Sequence, residues 1–466
     1  MIVNLFYIMA KFGEKIFTGL MGSAASSLYS KLLALFLSLV LFRQMSLHQY
    51  GSYQLAVSVW GITSILLFQG LASFVLARAS RFRANEQSEM VDELLRGFFL
   101  FLLLSACATF IVAKIYLSLA VSIRGDGLIS NSVSLLAVSS FAYPFGILNR
   151  TLLLLHHRFT QVNAITVLEE SVKVLVICAL FVLGYKEAQS VILGIVVGSY
   201  VATITGMFLA RKGLAPIIRG MSFSALNNIF RIIREEGVWS VLQKQVRQFG
   251  QSLRVFLVET MLGREAVALF GFAEKILSQI LGLFRLEDSL VPMLAGEKER
   301  ARVKLVFHLG VKYLFIVYTV AAIIALVATP IAVPQLFPKY ISAIRLTQIL
   351  LLFLPIAGVA SLLSSFFISH HSQKRQFTLV SLRWLWFMPF AWILVRWIGL
   401  GGIAVEYVVS LYLFSFLRYR SLIAAIPWLR IEFSKMCSIA KEDRRLFVGL
   451  RDLYLRKLNA LANPKR

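Results

Sequence analysis

Acidic residues are scarce in this chain: 23 Asp and Glu stand against 48 Lys and Arg, a formal net charge of +25 over 466 residues. Charge of any kind is scarce too, at 15%, while 58% of residues are hydrophobic, against a usual ~45–50%. Such an excess of positive charge in a soluble chain would suggest a nucleic-acid binder, but the apolar content excludes a soluble chain. Short alternating segments are missing, which excludes a β-barrel. The three cysteines, Cys107, Cys178 and Cys437, lack metal-ligand spacing, and the first two lie inside apolar runs. Neither a disulfide framework nor a cysteine metal centre is implied. No cleavable signal peptide is expected, because Lys11, Glu14 and Lys15 follow an apolar start instead of preceding it. No cofactor is implied.

What is present is a series of long apolar runs from end to end, the mark of an all-α polytopic membrane protein. Twelve spans are expected, near 18–42, 53–77, 95–119, 128–154, 161–184, 188–210, 240–262, 266–291, 305–330, 343–369, 377–397 and 400–420. Position of charge supports the count. With the N-terminus inside, the outer hairpins after spans 1, 3, 5, 7 and 9 carry one basic residue each: Arg43, Arg124, Lys186, Arg264 and Lys339. The inner segments are richer, with Arg78, Arg81 and Arg83, then Arg211, Lys212, Arg219, Arg231 and Arg234, then Lys298, Arg300, Arg302 and Lys304. Lys and Arg collect on the cytoplasmic side of membrane proteins, so both termini are expected in the cytoplasm.

The chain divides accordingly. Residues 1–17 form an interfacial segment, 18–210 hold six spans, 211–239 make a cytoplasmic linker, 240–420 hold six more, and 421–466 form a basic amphipathic tail suited to anionic phospholipid. Within the linker, 223–236 is expected to form an amphipathic helix.

The halves echo each other. An offset of 217 pairs Tyr53 with Phe270 and Ala56 with Ala273. Pro144 followed by His156 and His157 recurs as Pro355 followed by His370 and His371. The two prolines are expected to bend spans 4 and 10. Two pseudo-symmetric six-helix lobes with a site between them follow from such a repeat.

One stretch, 240–259, is charged on one side. At about 100° per residue, Lys244, Arg247, Gln248, Gln251, Arg254 and Glu259 share a face. Arg254 falls about 20 Å along this helix, near mid-membrane if the helix spans. An Arg there costs ~2.5–3.5 kcal/mol and usually faces a bundle interior or a wet cavity. A helix lying on the membrane surface is the bland reading, but it would invert every later hairpin. Under the same offset Ser30 aligns with Arg247 and Lys31 with Gln248, so span 1 would form the milder opposite wall.

This layout resembles the Wzx-type lipid-linked oligosaccharide flippases, the polysaccharide branch of the multidrug/oligosaccharidyl-lipid/polysaccharide exporter superfamily. The carrying residues are Tyr50-Gly51-Ser52-Tyr53, Gln69-Gly70-Leu71 with Arg78, Leu262-Gly263-Arg264-Glu265-Ala266-Val267-Ala268, Pro292, and Leu336-Phe337-Pro338-Lys339-Tyr340. The resemblance covers residues 11–420. It implies a two-lobe, twelve-helix fold in a bacterial inner membrane. It also implies an alternating-access cycle moving an undecaprenyl-diphosphate-linked repeat unit to the outer leaflet, with coupling to a proton or sodium ion proposed for the family. A polysaccharide polymerase and a chain-length regulator are further partners that it suggests. The cluster Arg285-Leu286-Glu287-Asp288 in span 8 departs from the matching Gln69-Gly70-Leu71.

A diphosphate and its sugars need a wet, cationic path across the membrane. The leading cavity cations are Arg254, Arg247 and Lys31, followed by Arg150 and Lys173; snorkelling to the interface is the plainer alternative for Arg247. Asp288, Glu170 and Glu287 are the candidates for ion coupling, although Glu170 and Lys173, at i,i+3, also suit a static pair. Lys304, His308 and Lys312 form a stripe that would meet either the diphosphate at a cytoplasmic mouth or lipid headgroups. A drug exporter of the same superfamily would favour an acid-lined cavity. A membrane polymerase or ligase would usually carry a large outer loop, and every outer hairpin here is short.

Overall fold

The computed structural model describes residues 14–68, 70–124, 127–234, 238–283, 300–369 and 373–431. Among these residues every regular element is helical. Helices α1 (Glu14–Gln44), α2 (Leu47–Thr63), α3 (Leu71–Ala84), α4 (Ser88–Arg124), α5 (Gly127–Ser139), α6 (Ala142–Leu155), α7 (Phe159–Val182) and α8 (Ala188–Arg219) fill the first half. The linker holds α9 (Phe223–Ile232). The second half contains α10 (Val238–Leu262), α11 (Arg264–Leu283), α12 (Arg300–Leu336), α13 (Ile344–Leu351), α14 (Leu354–Ser369), α15 (Gln373–Ile398) and α16 (Leu400–Ala425).

Six helical stretches of 25–32 residues are long and apolar enough to cross a bilayer: Ser88–Ser118, Ile129–Leu155, Ala188–Arg219, Phe307–Leu336, Lys374–Ile398 and Leu400–Ala425. The bent pair Pro338–Leu351 and Leu354–Ser364, at 49°, makes a seventh when taken as one span. The chain is a multi-pass membrane protein. Helices α1, α7, α10 and α11, of 31, 24, 25 and 20 residues, also have the length of a ~20-residue crossing. They carry the charged residues of interest.

Three expected spans are interrupted. Pro144 is the third residue of α6 and Pro355 the second of α14. Each lacks the N–H that would pair with the carbonyl four residues back, so the helix restarts just before it, after Ser139 in one case and Leu351 in the other. The stretch 53–77 is not the single helix that its apolar pattern suggests. It breaks after Leu67, where Phe68 takes a left-handed φ of 48°, an uncommon conformation for a bulky residue. The Phe68 ring meets Phe101 edge-on, with centroids 5.1 Å apart.

Buried apolar side chains form two large cores. One gathers Leu71, Phe98, Leu152, Ala202 and Ile229 from α3 to α9. The other gathers Val258, Phe270, Phe307, Leu350, Phe366 and Phe387 from α10 to α15, joined by Leu55 of α2. Helix α9 is amphipathic as expected: Ser222 caps it by accepting from the Ala225 N–H, and Leu226, Ile229 and Ile232 are buried.

A third cluster ties the halves together. Phe42 lies edge-on to Tyr50, Phe272, Phe337 and Tyr340, and Phe272 stacks on Tyr340 with centroids 4.4 Å apart. Gly51 permits this closeness, since a Cβ there would fall 2.2 Å from the Arg264 carbonyl oxygen. A Cβ on Gly271 would likewise stand 3.0 Å from the Gln54 side chain. Gln54 and Gly271 are equivalent under the 217-residue offset, so each touches its own repeat mate.

Candidate functional site

Helix α10 carries its charged face into two different surroundings. Lys244, Arg247 and Gln251 are exposed. Arg254, on the same face about two turns further, is only 2% exposed. Sequence reasoning places Arg254 on the wall of a wet cavity; the structure encloses it between α10, α15 and α16. Its guanidinium lies over the rings of Tyr407, Phe387 and Trp384, at 4.3, 5.1 and 5.2 Å from their centroids. Desolvated cation–π contacts of this kind reach ~2 kcal/mol, and here they take the place of water.

The counter-ion of Arg254 is Glu406 of α16, which is fully buried, with Arg254 Nη2 4.0 Å from Glu406 Oε2. That exceeds hydrogen-bond length. Arg383 sits above the Trp384 and Tyr407 rings, at 5.4 and 5.9 Å, so Tyr407 is flanked by two guanidinium groups. The charges of Arg418 and Glu274 also act on this group. Gly250 makes the arrangement fit: a Cβ there would fall 2.0 Å from the Trp384 indole.

A second charged group lies on α7. Glu170 and Lys173 form an ion pair one turn apart, both largely buried. Arg150 of α6 binds Glu169 at 2.5 Å, with side chains 38% and 31% exposed. Helix α1 runs alongside α7 in the same direction: Tyr29 Oη is 3.3 Å from Ser171 Oγ, and further along Leu41 and Phe181 share a buried cluster. Half-buried Lys31 therefore stands level with Lys173. From the other half, Lys275 of α11 comes close enough for the charges of Lys173 and Glu170 to act on it. Adjacent residues of α11 thus serve both groups, Glu274 acting on Arg254 and Lys275 on the α7 pair.

Sequence reasoning passed over Lys275, Arg383 and the aromatic ring trio. Lys275 and Arg383 each carried a signal, a charge inside an otherwise apolar stretch. The rings carried none, because Trp, Phe and Tyr in an apolar run do not announce which way they face.

The remaining candidates are placed as follows. Lys304, His308 and Lys312 lie along α12; Lys312 is 8% exposed, and His308 Nδ1 is 2.9 Å from the Lys304 carbonyl oxygen. His156 follows the end of α6 with its Nδ1 2.8 Å from the Leu152 carbonyl oxygen. Asp288, Glu287, Arg285, Pro292, His370 and His371 lie outside the described residues, as do the segments 1–13 and 432–466.

A cavity of about 210 Å³ opens between α6, α7 and α8. Its polar lining is Tyr143, Asn149, Arg150, Glu169, Ser199 and Thr203. Gly146 and Gly206 also line it, Gly206 where a Cβ would come within 3.0 Å of Asn149.

The described helices group in two large apolar cores, and the same fold is found in solved structures of membrane proteins. The chain is similar to the lipid II flippase MurJ in an inward closed conformation, with a TM-score of 0.70 at 14% identity over 93% of this chain and 92% of that one. It is similar to an inward-facing multidrug resistance MATE family transporter of the MOP superfamily, with a TM-score of 0.66 at 17% identity over 85% and 98% of the chains. A MOP superfamily transporter from Pyrococcus furiosus, noted for the reverse polarity of its binding pocket, gives 0.55 at 16% identity over 88% and 93%. No curated relative matches the chain. The sequence profile described as polysaccharide biosynthesis protein matches residues 18–296, and the chain belongs to that family.

Proposed function

We propose that this protein is an alternating-access flippase. It carries undecaprenyl-diphosphate-linked oligosaccharide repeat units from the cytoplasmic to the outer leaflet of a bacterial inner membrane, with both termini in the cytoplasm. Two six-helix lobes, 18–210 and 240–420, rock about the contact between α2, α10 and α11. The contact of Gln54 with its repeat mate Gly271 supports a two-fold axis at that place.

One observation carries the substrate class. Lys275, from the opposite half, lies within electrostatic range of the Lys173–Glu170 pair, and Lys31 stands at the level of Lys173. A surplus of lysine deep in a membrane protein is costly unless an anion compensates it. A diphosphate supplies that compensation, whereas a cationic drug would be repelled. Arg247, exposed on α10, extends the positive path towards the start of that helix. Arg254 acts through its field and its packing, since the rings around it leave no face for a ligand. Arg150 is engaged by Glu169. When the diphosphate takes Lys173, Glu170 is released to accept a proton or sodium ion, which is the coupling role assigned to it.

Deleting the gene tests this reading. Lipid-linked repeat units are expected to accumulate on the inner leaflet and surface polysaccharide to disappear, with both restored by the intact gene. Unchanged polysaccharide, or export of cationic dyes instead, would overturn the proposal.

A further inference from the structure

The cavity between α6, α7 and α8 is used neither by the lysine group nor by the Arg254 site. At about 210 Å³ it is smaller than the ~300–1,000 Å³ of drug-sized sites, yet holds the liquid volume of about seven waters. Its lining is crowded with hydrogen-bonding groups of both kinds. Asn149 is 1% exposed; its Nδ2 donates to the Thr203 carbonyl at 3.3 Å, while its Oδ1 has no donor among the described residues. A buried amide oxygen left without a donor is destabilising, and a ligand hydroxyl in the cavity that Asn149 lines would satisfy it.

The charge of the cavity is balanced. Arg150 and Glu169 cancel each other at 2.5 Å, so neither a phosphate nor a cation is favoured. Both groups remain about one-third exposed, and each has hydrogen-bonding capacity beyond the pair: five N–H donors on a guanidinium and about four lone-pair sites on a carboxylate. Tyr143 adds an aromatic ring, and Ser199 and Thr203 add hydroxyls. A neutral, compact ring bearing several hydroxyls matches this set.

Its position fits as well. Glu169 and Lys173 lie four residues apart on α7, a spacing that brings side chains ~5–6 Å from each other on one helix face. A diphosphate held by Lys173 would therefore have its first substituent at the mouth of the cavity. We infer that this cavity is a sugar subsite that receives the monosaccharide attached directly to the lipid diphosphate. The inference rests on the flippase reading above and specifies its substrate.

Equilibrium binding to the full-length protein in nanodiscs tests it. The probes are undecaprenyl diphosphate, bare or carrying one N-acetylhexosamine or one hexose. At least one sugar-bearing lipid is expected to bind at least about tenfold tighter than the bare lipid. Asn149→Leu should bring that ratio close to one with affinity for the bare lipid unchanged, and Glu169→Gln should do so while raising affinity for all three lipids through the uncompensated Arg150 charge. Glu169→Gln keeps the side-chain shape, so it decides the matter if Asn149→Leu fails to fold. Equal binding of all probes by the intact protein, or an undiminished ratio in Glu169→Gln, would overturn the subsite while leaving the flippase reading in place. Failure of the intact protein to bind any of these lipids would sink both.

Discussion

Arg254 and Glu406 face each other across α10 and α16 at 4.0 Å, one 2% exposed and the other fully enclosed. The distance is too long for a hydrogen bond, so the pair is held by charge and by the three rings over the guanidinium. Removing one member of a buried pair typically costs ~3–5 kcal/mol, because the other is left uncompensated. Glu406→Gln is therefore expected to lower the unfolding temperature of the purified protein sharply. The double substitution Arg254→Met with Glu406→Gln should recover part of that loss. A double-mutant cycle by thermal unfolding checks this; additive losses would show that the two charges do not act together.

Gly250 has a more local consequence. With a Cβ only 2.0 Å from the Trp384 ring, Gly250→Ala must push the indole away from Arg254. Overpacking usually costs ~1–3 kcal/mol, and the displaced ring also loses its cation–π contact. Gly250→Ala should destabilise the protein, and adding Trp384→Leu should relieve the clash. If the double variant is less stable than Gly250→Ala alone, the contact is not what limits that position.

Gly51 is predicted to govern the junction of the two halves. Any side chain there meets the Arg264 backbone at 2.2 Å and must part α2 from the start of α11. Gly51→Leu should loosen the cluster of Phe42, Tyr50, Phe272 and Tyr340. Half-buried Cys178 packs on the same cluster and should react faster with a water-soluble thiol reagent in the purified protein. Unaltered labelling of Cys178 would count against Gly51 holding this cluster closed.

Much of the fold was legible in the sequence because length and apolarity alone decide where a helix is able to cross. The breaks before Pro144 and Pro355 were legible too, since a missing N–H has one local effect. The break at Phe68 was not, because no proline marks it and a Phe with positive φ is set by its surroundings. Arg254 was visible as an anomaly but was assigned to a wet wall. What buries it comes from α15 and α16, more than a hundred residues away in the chain, and an aromatic residue in an apolar run looks the same whether it faces lipid or a cation. Lys173 and Glu170 were legible as a pair by their spacing. Lys275 was not joined to them, because that meeting depends on how the two halves pack.

That meeting is the centre of the functional account, and lipid binding measures it directly. Affinity of the purified protein for undecaprenyl diphosphate should fall about tenfold or more in Lys173→Ala and in Lys275→Ala, the scale of losing a charged hydrogen bond worth ~1.5–3 kcal/mol. Lys275→Arg should retain most of the binding. If the double alanine variant binds the lipid as tightly as the intact protein, the lysines that meet between the halves do not hold the diphosphate, and the account fails.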